Sequence, residues 1–374
     1  MYTLEIDVQI FKEAIRKADK TCGTLEPVNR KLVFSPVSDK LYIFATDGCL
    51  TGIFEICPFL FSKPFSAFEV PLDVLKQFLS ELSGTLVFNY QDQVLTLKCH
   101  GETLRLRTGR PSLQNVQLFK EILTDFRKPP FRLKVNRRRF LSALDFVSAY
   151  LEEGSKVDVL FQGENILLFA ESSGILTHSR IRTFESLPAF EEWKLYNTQK
   201  SPYASLSIPF VTTRHLIKVL DIEEVEELEL WEEKGKFFLS SRSLYISCAD
   251  KPELSHVEIL QTLQNLKFQG RIPTRSFQRI LRRALISGRY SEVDIHSKYG
   301  QLIFISHHGG ITYKASFDVP VEVNFSVKAR AHMLRAVLGR LNSQNTFVSV
   351  EAQYVIFYSP SLTMFVILKN QLTG

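Results

Sequence analysis

The sequence lacks the features that would place it in a membrane or in a common class of enzyme. No apolar run reaches the roughly 18 residues that a membrane-spanning helix needs, and the first residues, charged from Glu5 onward, do not resemble a secretory signal. The patterns GxxxxGK[ST], HExxH, GxSxG and GxGxxG are all absent. We therefore expect a cytoplasmic protein that is not an enzyme and that needs no membrane, metal or cofactor.

Cysteine is also scarce. The five cysteines are scattered along the chain and never form a CxxC pair; they are Cys22, Cys49, Cys57, Cys99 and Cys248. An odd and scattered set favours a reducing compartment over a disulfide framework.

The chain is long and apolar enough to bury a sizeable core, and its basic residues are unevenly spread. It has 374 residues, of which 45% are hydrophobic and 23% charged, so we expect two or three globular domains. Basic and acidic residues number 15 and 15 in 1–127, 17 and 20 in 128–262, and 14 and 5 in 263–374. The basic excess of the last third indicates a polyanion or an acidic partner.

The chain repeats one plan three times. Each repeat opens with a short alternating strand, a turn and an amphipathic helix whose first turn holds an aromatic residue, namely Phe11, Phe140 and Phe277. Strand pairs ending at a glycine turn follow, and the second half of each repeat is built the same way. This predicts an α+β fold of six β-α-β-β-β units, paired into three similar domains with boundaries 1–127, 128–262 and 263–374.

The predicted helices combine an apolar face with a cationic face. The stretch TRSFQRILRRALISGR, residues 274–289, predicts one helix in which the arginines lie opposite Phe277, Ile280 and Leu281. A solvated face explains one such helix, but its repetition favours a surface for duplex DNA. The candidate DNA-binding residues are Lys12, Arg16, Lys17, Lys20, Arg138, Arg275, Arg279, Arg282, Arg283, Lys328 and Arg335.

Three other polar groups favour structural roles. Adjacent strand residues point to opposite faces, so His307 and His308 are poor joint metal ligands. Asp47 in ATDG is typical of a turn. The acidic stretch 221–235 is interpreted as a solvated strand edge or rim that would repel DNA.

The order and spacing of these features resemble a known family. The three-domain plan, FATDG at 44–48 and NFSVKARAHMLRAVLGRL ahead of a C-terminal strand are similar to the bacterial DNA polymerase III beta subunit, the sliding clamp. The resemblance implies a head-to-tail homodimer, a ring whose inner face is lined by helices and whose sheets lie outside. It implies double-stranded DNA as a partner, together with a clamp loader, DNA polymerase III and other clamp-binding proteins that attach through short peptides.

The resemblance also implies positions for the protein contacts. The partner-peptide pocket lies between the second and third domains, and its residues here are Gly174, Ile175, Leu176, Leu260, Val366 and Leu368. The dimer interface takes an apolar pair at the end of the third domain's first helix and the last edge of the first domain, here Leu285, Ile286, Leu104 and Leu106.

The chain departs from the family at the pocket and in its charge. The usual TDGHR is replaced by ESSGILT, and Lys369 and Asn370 stand in place of part of a Met-Pro-Met-Arg-Leu ending. Family members are usually acidic, whereas this chain is basic. The sequence therefore leaves three interpretations open: a replicative clamp; a clamp-fold DNA-binding protein with a role in repair, recombination or regulation and with altered or lost polymerase-peptide binding; and an unrelated open DNA-binding protein or unrecognised enzyme.

Overall fold

A computed structural model of the protein describes residues 2–23, 26, 29–37, 40–58, 65–112, 123, 132–162, 165–183, 204–252, 256–351 and 353–373. These residues form two compact units. The first unit contains the described parts of 1–134 and 214–248, and the second contains those of 135–183, 204–213 and 249–373.

Residues 2–107 form two successive β-α-β-β-β units. The first consists of β1 (Tyr2–Asp7), α1 (Val8–Cys22), β2 (Lys31–Val37), β3 (Lys40–Thr46) and β4 (Leu50–Pro58). The second consists of β5 (Phe68–Pro71), α2 (Leu72–Leu79), β6 (Thr85–Gln91), β7 (Val94–Cys99) and β8 (Glu102–Arg107).

Residues 133–248 repeat the same order. The third unit consists of β9 (Leu133–Asn136), α3 (Arg137–Ser148), β10 (Lys156–Gln162), β11 (Asn165–Ser172) and β12 (Ile175–Arg182). The fourth consists of β13 (Ala204–Pro209), α4 (Phe210–Ile222), β14 (Glu227–Glu233), β15 (Lys236–Ser240) and β16 (Leu244–Cys248).

Residues 257–373 add one helix and the last two units. The added helix is α5 (Val257–Gln264). The fifth unit consists of β17 (Gly270–Pro273), α6 (Thr274–Ala284), β18 (Glu292–Lys298), β19 (Gln301–His308) and β20 (Ile311–Asp318). The sixth consists of β21 (Phe325–Arg330), α7 (Ala331–Leu338), β22 (Asn345–Glu351), β23 (Tyr354–Tyr358) and β24 (Met364–Lys369), with short 3-10 turns at Leu285–Ser287 and Gln371–Thr373. The predicted fold class and its six units are confirmed.

Local sequence explains where the helices begin. The Asp7 carboxylate accepts hydrogen bonds from the amides of Gln9 (2.7 Å) and Ile10 (3.3 Å) at the start of α1. Asn136 does the same for the Arg139 amide (3.1 Å) at the start of α3. Both side chains satisfy amides that the first helical turn leaves without intrahelical partners.

Helix α6 is shorter than the predicted helix over 274–289. It ends at Ala284, and the 3-10 turn follows. The Ser287 hydroxyl donates to the Ala284 carbonyl at 2.7 Å, and Gly288 has a φ of 151°. A capped carbonyl and a glycine conformation that disfavours side chains end the helix there.

The strands of paired units are exchanged. In each pair of units the first strand joins the last three strands of the other unit, so that β1 lies beside β6 and β5 lies beside β2. The same exchange relates β9 to β14, β13 to β10, β17 to β22 and β21 to β18. The result is six sets of four strands.

Four of the six sets are fused into larger sheets through their last strands. Strand β4 pairs with β16 to give the eight-stranded order β5-β2-β3-β4-β16-β15-β14-β9, and β12 pairs with β24 to give β13-β10-β11-β12-β24-β23-β22-β17. The remaining sets are four-stranded sheets, β1-β6-β7-β8 and β20-β19-β18-β21. Within the described residues, their last strands β8 and β20 lie at open sheet edges.

An apolar cluster packs on each of the two fused sheets. One cluster on the β12–β24 sheet holds Leu167, Phe169, Ile356 and Ile367, with Ile259 of α5 packed on it. A second on the β4–β16 sheet holds Phe44, Ile53, Trp231, Phe238 and Ile246. Burial on this scale contributes about 25 cal/mol for each Å² of apolar surface removed from water.

Two cysteines are paired. Cys49 and Cys248 form a disulfide across the end of the β4–β16 pairing, whereas Cys22 and Cys99 are buried free thiols. The sequence favoured a reducing compartment over a disulfide framework, and it did not identify this single pair. Within the described residues, no helix combines the length and the apolarity that crossing a membrane requires.

Candidate nucleic-acid interface and protein-contact surfaces

The four arginines of α6 form one exposed surface, the arginine stripe, defined by Arg275, Arg279, Arg282 and Arg283. The opposite face of α6 is buried and includes Phe277, whose ring lies 5.7 Å from Phe304 and 5.4 Å from Phe357. Among the described residues, no ion pair neutralises the stripe. Arg282 and Arg283 also stabilise the helix, because cations in the last turn interact favourably with the helix dipole.

The cations of α1 are not equally available. Arg16 is exposed, and Lys12 donates to the Ser80 carbonyl at 3.0 Å. The predicted outer position of Lys17 is wrong, since this residue is only 3% exposed. Its ammonium group lies 2.9 Å from Glu223 and 2.7 Å from Glu13.

The burial of Lys17 has a local electrostatic cause. A buried ammonium group is tolerated only with opposite charge and hydrogen bonds around it. Glu223, itself almost fully buried, supplies one carboxylate oxygen to Lys17 and the other to the Tyr245 hydroxyl at 2.7 Å. Lys17 therefore stabilises the first of the two compact units and does not belong to the candidate DNA surface. Lys20 is half-exposed.

Lys328 also departs from its predicted place. It lies in β21 and not on the following helix, because the alternation of FSVKAR buries Val327 and Ala329 and leaves Lys328 exposed. Its ammonium group forms a 2.7 Å ion pair with Glu292, which raises the pKa of Lys328. Arg335 lies on α7 and Arg138 is exposed on α3, as predicted.

The sequence patterns missed two arginines and an aromatic residue at the ends of α6. Arg271 is exposed in β17, just before the helix, and Arg289 is exposed just after the 3-10 turn. The Arg289 guanidinium carbon lies 5.5 Å from the centre of the Tyr290 ring, and that ring is 62% exposed. Arg271 lies before the predicted helix, and the position of Arg289 is set by the 3-10 turn and Gly288, which helical periodicity did not foresee.

The predicted peptide pocket is only partly supported by side-chain directions. Val366 pairs with Phe357, which contacts Phe277 of α6, so Val366 faces the helices. Ile175 and Leu368 pair with each other on that same face, and both are almost completely buried. These three residues cannot line an open groove, because strand neighbours alternate between faces and theirs is the covered one.

Two of the predicted pocket residues lie on the other face of the β12–β24 sheet, opposite α6. Leu176, which pairs with Ile367, and Leu260 on α5 are half-buried against the cluster on the β12–β24 sheet. Lys369 is exposed and pairs with Tyr354, a half-buried member of the same surface. We call Leu176, Leu260, Tyr354 and Lys369 the outer patch.

Gly174 and Asn370 have structural roles at the two ends of this region. Gly174 has a φ of 75° in the β11–β12 turn, a conformation that glycine adopts without strain. The Asn370 side chain is buried and accepts hydrogen bonds from the amides of Ser326 (3.1 Å) and Leu372 (3.2 Å). Asn370 therefore fastens the last residues to β21 and does not form a pocket wall.

The hydroxyl of Tyr150 fills the space under the β11–β12 turn. It donates to the carbonyl oxygens of Ala170 and Ile175, at 2.7 and 2.8 Å. Burial raises the pKa of Tyr150. No pattern in the sequence identified this residue, because its partners lie 20 and 25 positions away.

The predicted interface leucines lie on an open edge. Leu104 and Leu106 are half-exposed in β8, opposite the fully buried Leu97 and Leu95 of β7. The two leucines therefore continue the core-facing row of their sheet up to its edge.

The second open edge has the same construction. In β20, the half-exposed Tyr313, Ala315 and Phe317 pair with residues of β19, and Phe317 stacks on Phe304 at 5.9 Å. The 3-10 turn that holds Leu285 and Ile286 contacts β20, and Ile286 is 66% exposed. The predicted leucines Leu104 and Leu106 thus lie on an unpaired edge, whereas Leu285 and Ile286 lie in a turn beside the other edge.

Asp47 lies in a turn, and strand β14 of the acidic stretch 221–235 lies in a sheet interior. Asp47 is a turn residue, as predicted: its carboxylate accepts from the Cys49 amide at 2.8 Å and contacts His215 at 2.5 Å. Strand β14, within the acidic stretch, lies between β15 and β9 and is not a sheet edge. The interpretation of this strand as a sheet edge is therefore wrong.

Solved structures share this fold over nearly the whole chain. The DNA polymerase III beta subunit of Pseudomonas aeruginosa has a TM-score of 0.78 and 11% identity, covering 99% of this chain and all of that one. The beta subunit of Thermotoga maritima has a TM-score of 0.74 and 13% identity, with 98% of both chains covered. The Helicobacter pylori beta clamp bound to a DNA ligase peptide has a TM-score of 0.71 and 11% identity, with 99% of both chains covered.

The likeness is one of structure and not of sequence. No family model matches the sequence, and no curated protein matches it. The neighbours show that the chain has the fold of the bacterial sliding clamps, in a divergent form.

Proposed function

We propose that the protein is a DNA sliding clamp. Two copies join head to tail into a closed ring around double-stranded DNA, and the ring tethers DNA polymerase III in the cytoplasm for processive replication. On this proposal the protein is a processivity factor without catalytic activity, and a clamp loader opens the ring. The repeated segments 1–127, 128–262 and 263–374 are its three domains.

The observation that carries the proposal is the pair of open edges. Among the described strands, both fusions between four-stranded sets join two last strands, β4 with β16 and β12 with β24. The last strands left over are β8 and β20. Antiparallel pairing of β8 in one copy with β20 in another would give eight-stranded sheets of the same kind.

Such pairing also resolves two energetic problems of the single chain. An open strand edge leaves backbone amides and carbonyls without partners and is a template for association. The rows ending in Leu106 and Phe317 expose apolar surface that a joint would bury. Because β8 and β20 are different surfaces, the contact is head to tail, and a ring follows if two copies close it.

The arginine stripe supports DNA as the molecule enclosed by the ring. Phosphate contacts hold a duplex without reading its bases, so mobile arginines allow a ring to slide. Lys12, Arg16, Lys20, Arg138 and Arg335 are proposed to add to this surface.

The outer patch is the proposed contact for partner peptides. The H. pylori clamp, which shares this fold, is bound to a ligase peptide. Leu176 and Leu260 offer apolar contact for a hydrophobic anchor, and Lys369 favours an acidic flanking residue. With Val366 and Leu368 covered, we expect weaker peptide binding than a deeper pocket would give.

The proposal is tested by oligomeric state and by DNA topology. Sedimentation should give a dimer at micromolar concentration. When subunits are concentrated together with a nicked circular plasmid, rings should close around the DNA. The protein should then remain bound to the circular plasmid at high salt and be lost when the plasmid is cut. Equal loss from circular and linear DNA, or a monomer at micromolar concentration, would rule out a closed ring.

The altered outer patch favours a second candidate function. A clamp-fold protein that encircles DNA in repair, recombination or regulation would need the ring but not the polymerase contact. Pull-down with polymerase peptides separates the two, since only the replicative clamp should retain them.

A further inference from the structure

We infer that Cys49 and Cys248 form a reversible thiol–disulfide site that fastens the β4–β16 pairing, and that exchanges with dithiols. The inference stands apart from the proposed function, because it concerns one sheet within a single chain.

The two cysteines lie directly across from each other at the end of a short strand pairing. Strands β4 and β16 pair through four residues on each side, from Leu50 opposite Ser247 to Ile53 opposite Leu244. Cys49 and Cys248 are the next pair: the Cys248 amide donates to the Cys49 carbonyl at 3.0 Å, and their Cα atoms are 5.1 Å apart. That separation is within the range of disulfides, so the bond forms without backbone movement.

The bond closes a very long loop. The two residues are 199 positions apart in the chain, and they tie the strands of 31–58 to those of 227–248. In the chain-entropy account, a cross-link over so long a loop restricts the unfolded chain strongly. The same four-residue pairing holds both parts together when the bond is absent.

Among the described cysteine side chains, exchange with a dithiol should be confined to Cys49 and Cys248. Cys248 is exposed and Cys49 half-exposed, so this pair lies at the surface, where a dithiol can approach it. Cys22 and Cys99 are buried, and burial raises the pKa of the Cys22 thiol to about 11. A raised pKa keeps the Cys22 thiol from attacking a disulfide, and the covered position of Cys99 keeps it out of reach of one.

The exchange is a balanced two-electron step. One thiolate of the dithiol attacks Sγ of Cys49 or Cys248, the protein disulfide breaks, and a mixed disulfide forms. The second thiolate of the dithiol then displaces the remaining cysteine. Both cysteines end as thiols after taking up two protons, and the dithiol leaves as a disulfide. In a reducing compartment such a bond forms transiently under oxidation.

Thiol counting and thermal melting test the inference on the full-length protein. After mild oxidation and denaturation, alkylation should detect three free cysteines, and five after treatment of the folded protein with dithiothreitol. Peptide mapping without reduction should recover Cys49 linked to Cys248. The melting temperature of the oxidised protein should fall by on the order of 5–15 °C on reduction.

A double variant, Cys49→Ser with Cys248→Ser, is the matched control. It should melt at the temperature of the reduced parent and be indifferent to dithiothreitol. Five free thiols after oxidation, a different pairing, a bond that folded protein keeps in dithiothreitol, or an equal reductant effect in the double variant would each overturn the inference.

Discussion

A head-to-tail ring makes an unusual prediction about pairs of damaged subunits. Leu106→Asp places a carboxylate on the half-exposed row of β8, and Ile286→Asp places one beside β20. Each position is at least partly exposed in the single chain, so both variants should fold. Each variant leaves one of the two contact surfaces intact, which allows the surfaces to be tested in combination.

The magnitude follows from counting joints. A ring of two copies has two joints, and either variant alone damages both. An unpaired carboxylate buried in an apolar contact costs several kcal/mol. At about 3 kcal/mol for each joint, the dimer loses about 6 kcal/mol, which corresponds to a roughly 10⁴-fold rise in Kd. Each variant alone should therefore be a monomer at micromolar concentration.

Mixing the two variants should restore association. In the mixed pair, the intact β8 of the Ile286→Asp chain meets the intact β20 surface of the Leu106→Asp chain. One joint forms intact and the other, which carries both aspartates, stays open, so sedimentation should detect more association in the mixture than in either variant alone and less than in the parent. Variants that stay dimeric alone would refute the assignment of the edges, and a mixture that stays monomeric would refute the head-to-tail arrangement if the parent dimerises strongly.

The other predictions concern DNA, stability and peptides. Alanine at all four positions of the arginine stripe should reduce the slope of log K against log salt by up to ~0.9 for each lost phosphate contact, equally on all duplex sequences, with an unchanged circular dichroism spectrum; an unchanged slope would contradict DNA contact there. Lys17→Ala should destabilise the protein by about 3–5 kcal/mol in urea unfolding, because Glu223 is left buried, and a loss under 1 kcal/mol would contradict the buried pair. Burial lowers the pKa of His178 to about 3. Between the ordinary pKa of histidine and about 3, only the unfolded chain protonates this residue, so the free energy of unfolding should fall with decreasing pH by up to about 1.4 kcal/mol per pH unit. His178→Phe should flatten that dependence in urea titrations at pH 7 and 5. Leu176→Asp should weaken a fluorescent polymerase peptide in polarisation assays, whereas the exposed control Leu362→Asp should not; equal binding by both would place the peptide elsewhere.

The order of strands and helices in the six units could be predicted because it depends on short-range hydrophobic patterns. Each unit shows its strand, helix and strand pairs as separate hydrophobic periods, and Phe11, Phe140 and Phe277 mark corresponding turns. The exchange of first strands could not be predicted in this way. The local sequence of β1 does not determine that it pairs with β6, more than 75 positions later, and not with β2.

The candidate sites show the same limit at the level of side chains. The arginine stripe was predictable because helical period alone fixes its face. Lys17 was not, since its burial depends on Glu223, 206 positions away. Val366 and Leu368 lie at the strand expected from the resemblance, but only the pairing of β24 with β23 shows that they face the helices.

The edges and the disulfide site concern the same structural element, the joint between two last strands. The β4–β16 joint has four residue pairs, an apolar cluster and a covalent bond, while the β12–β24 joint has five pairs and the larger cluster around Phe169. A β8–β20 joint between copies would have neither a shared chain nor a bond between its strands. Its strength would rest on backbone pairing and on the rows ending in Leu106 and Phe317, with Ile286 beside them. In the proposed ring, the β8–β20 joint between copies would therefore open most easily, as a clamp that closes around DNA and later leaves it requires.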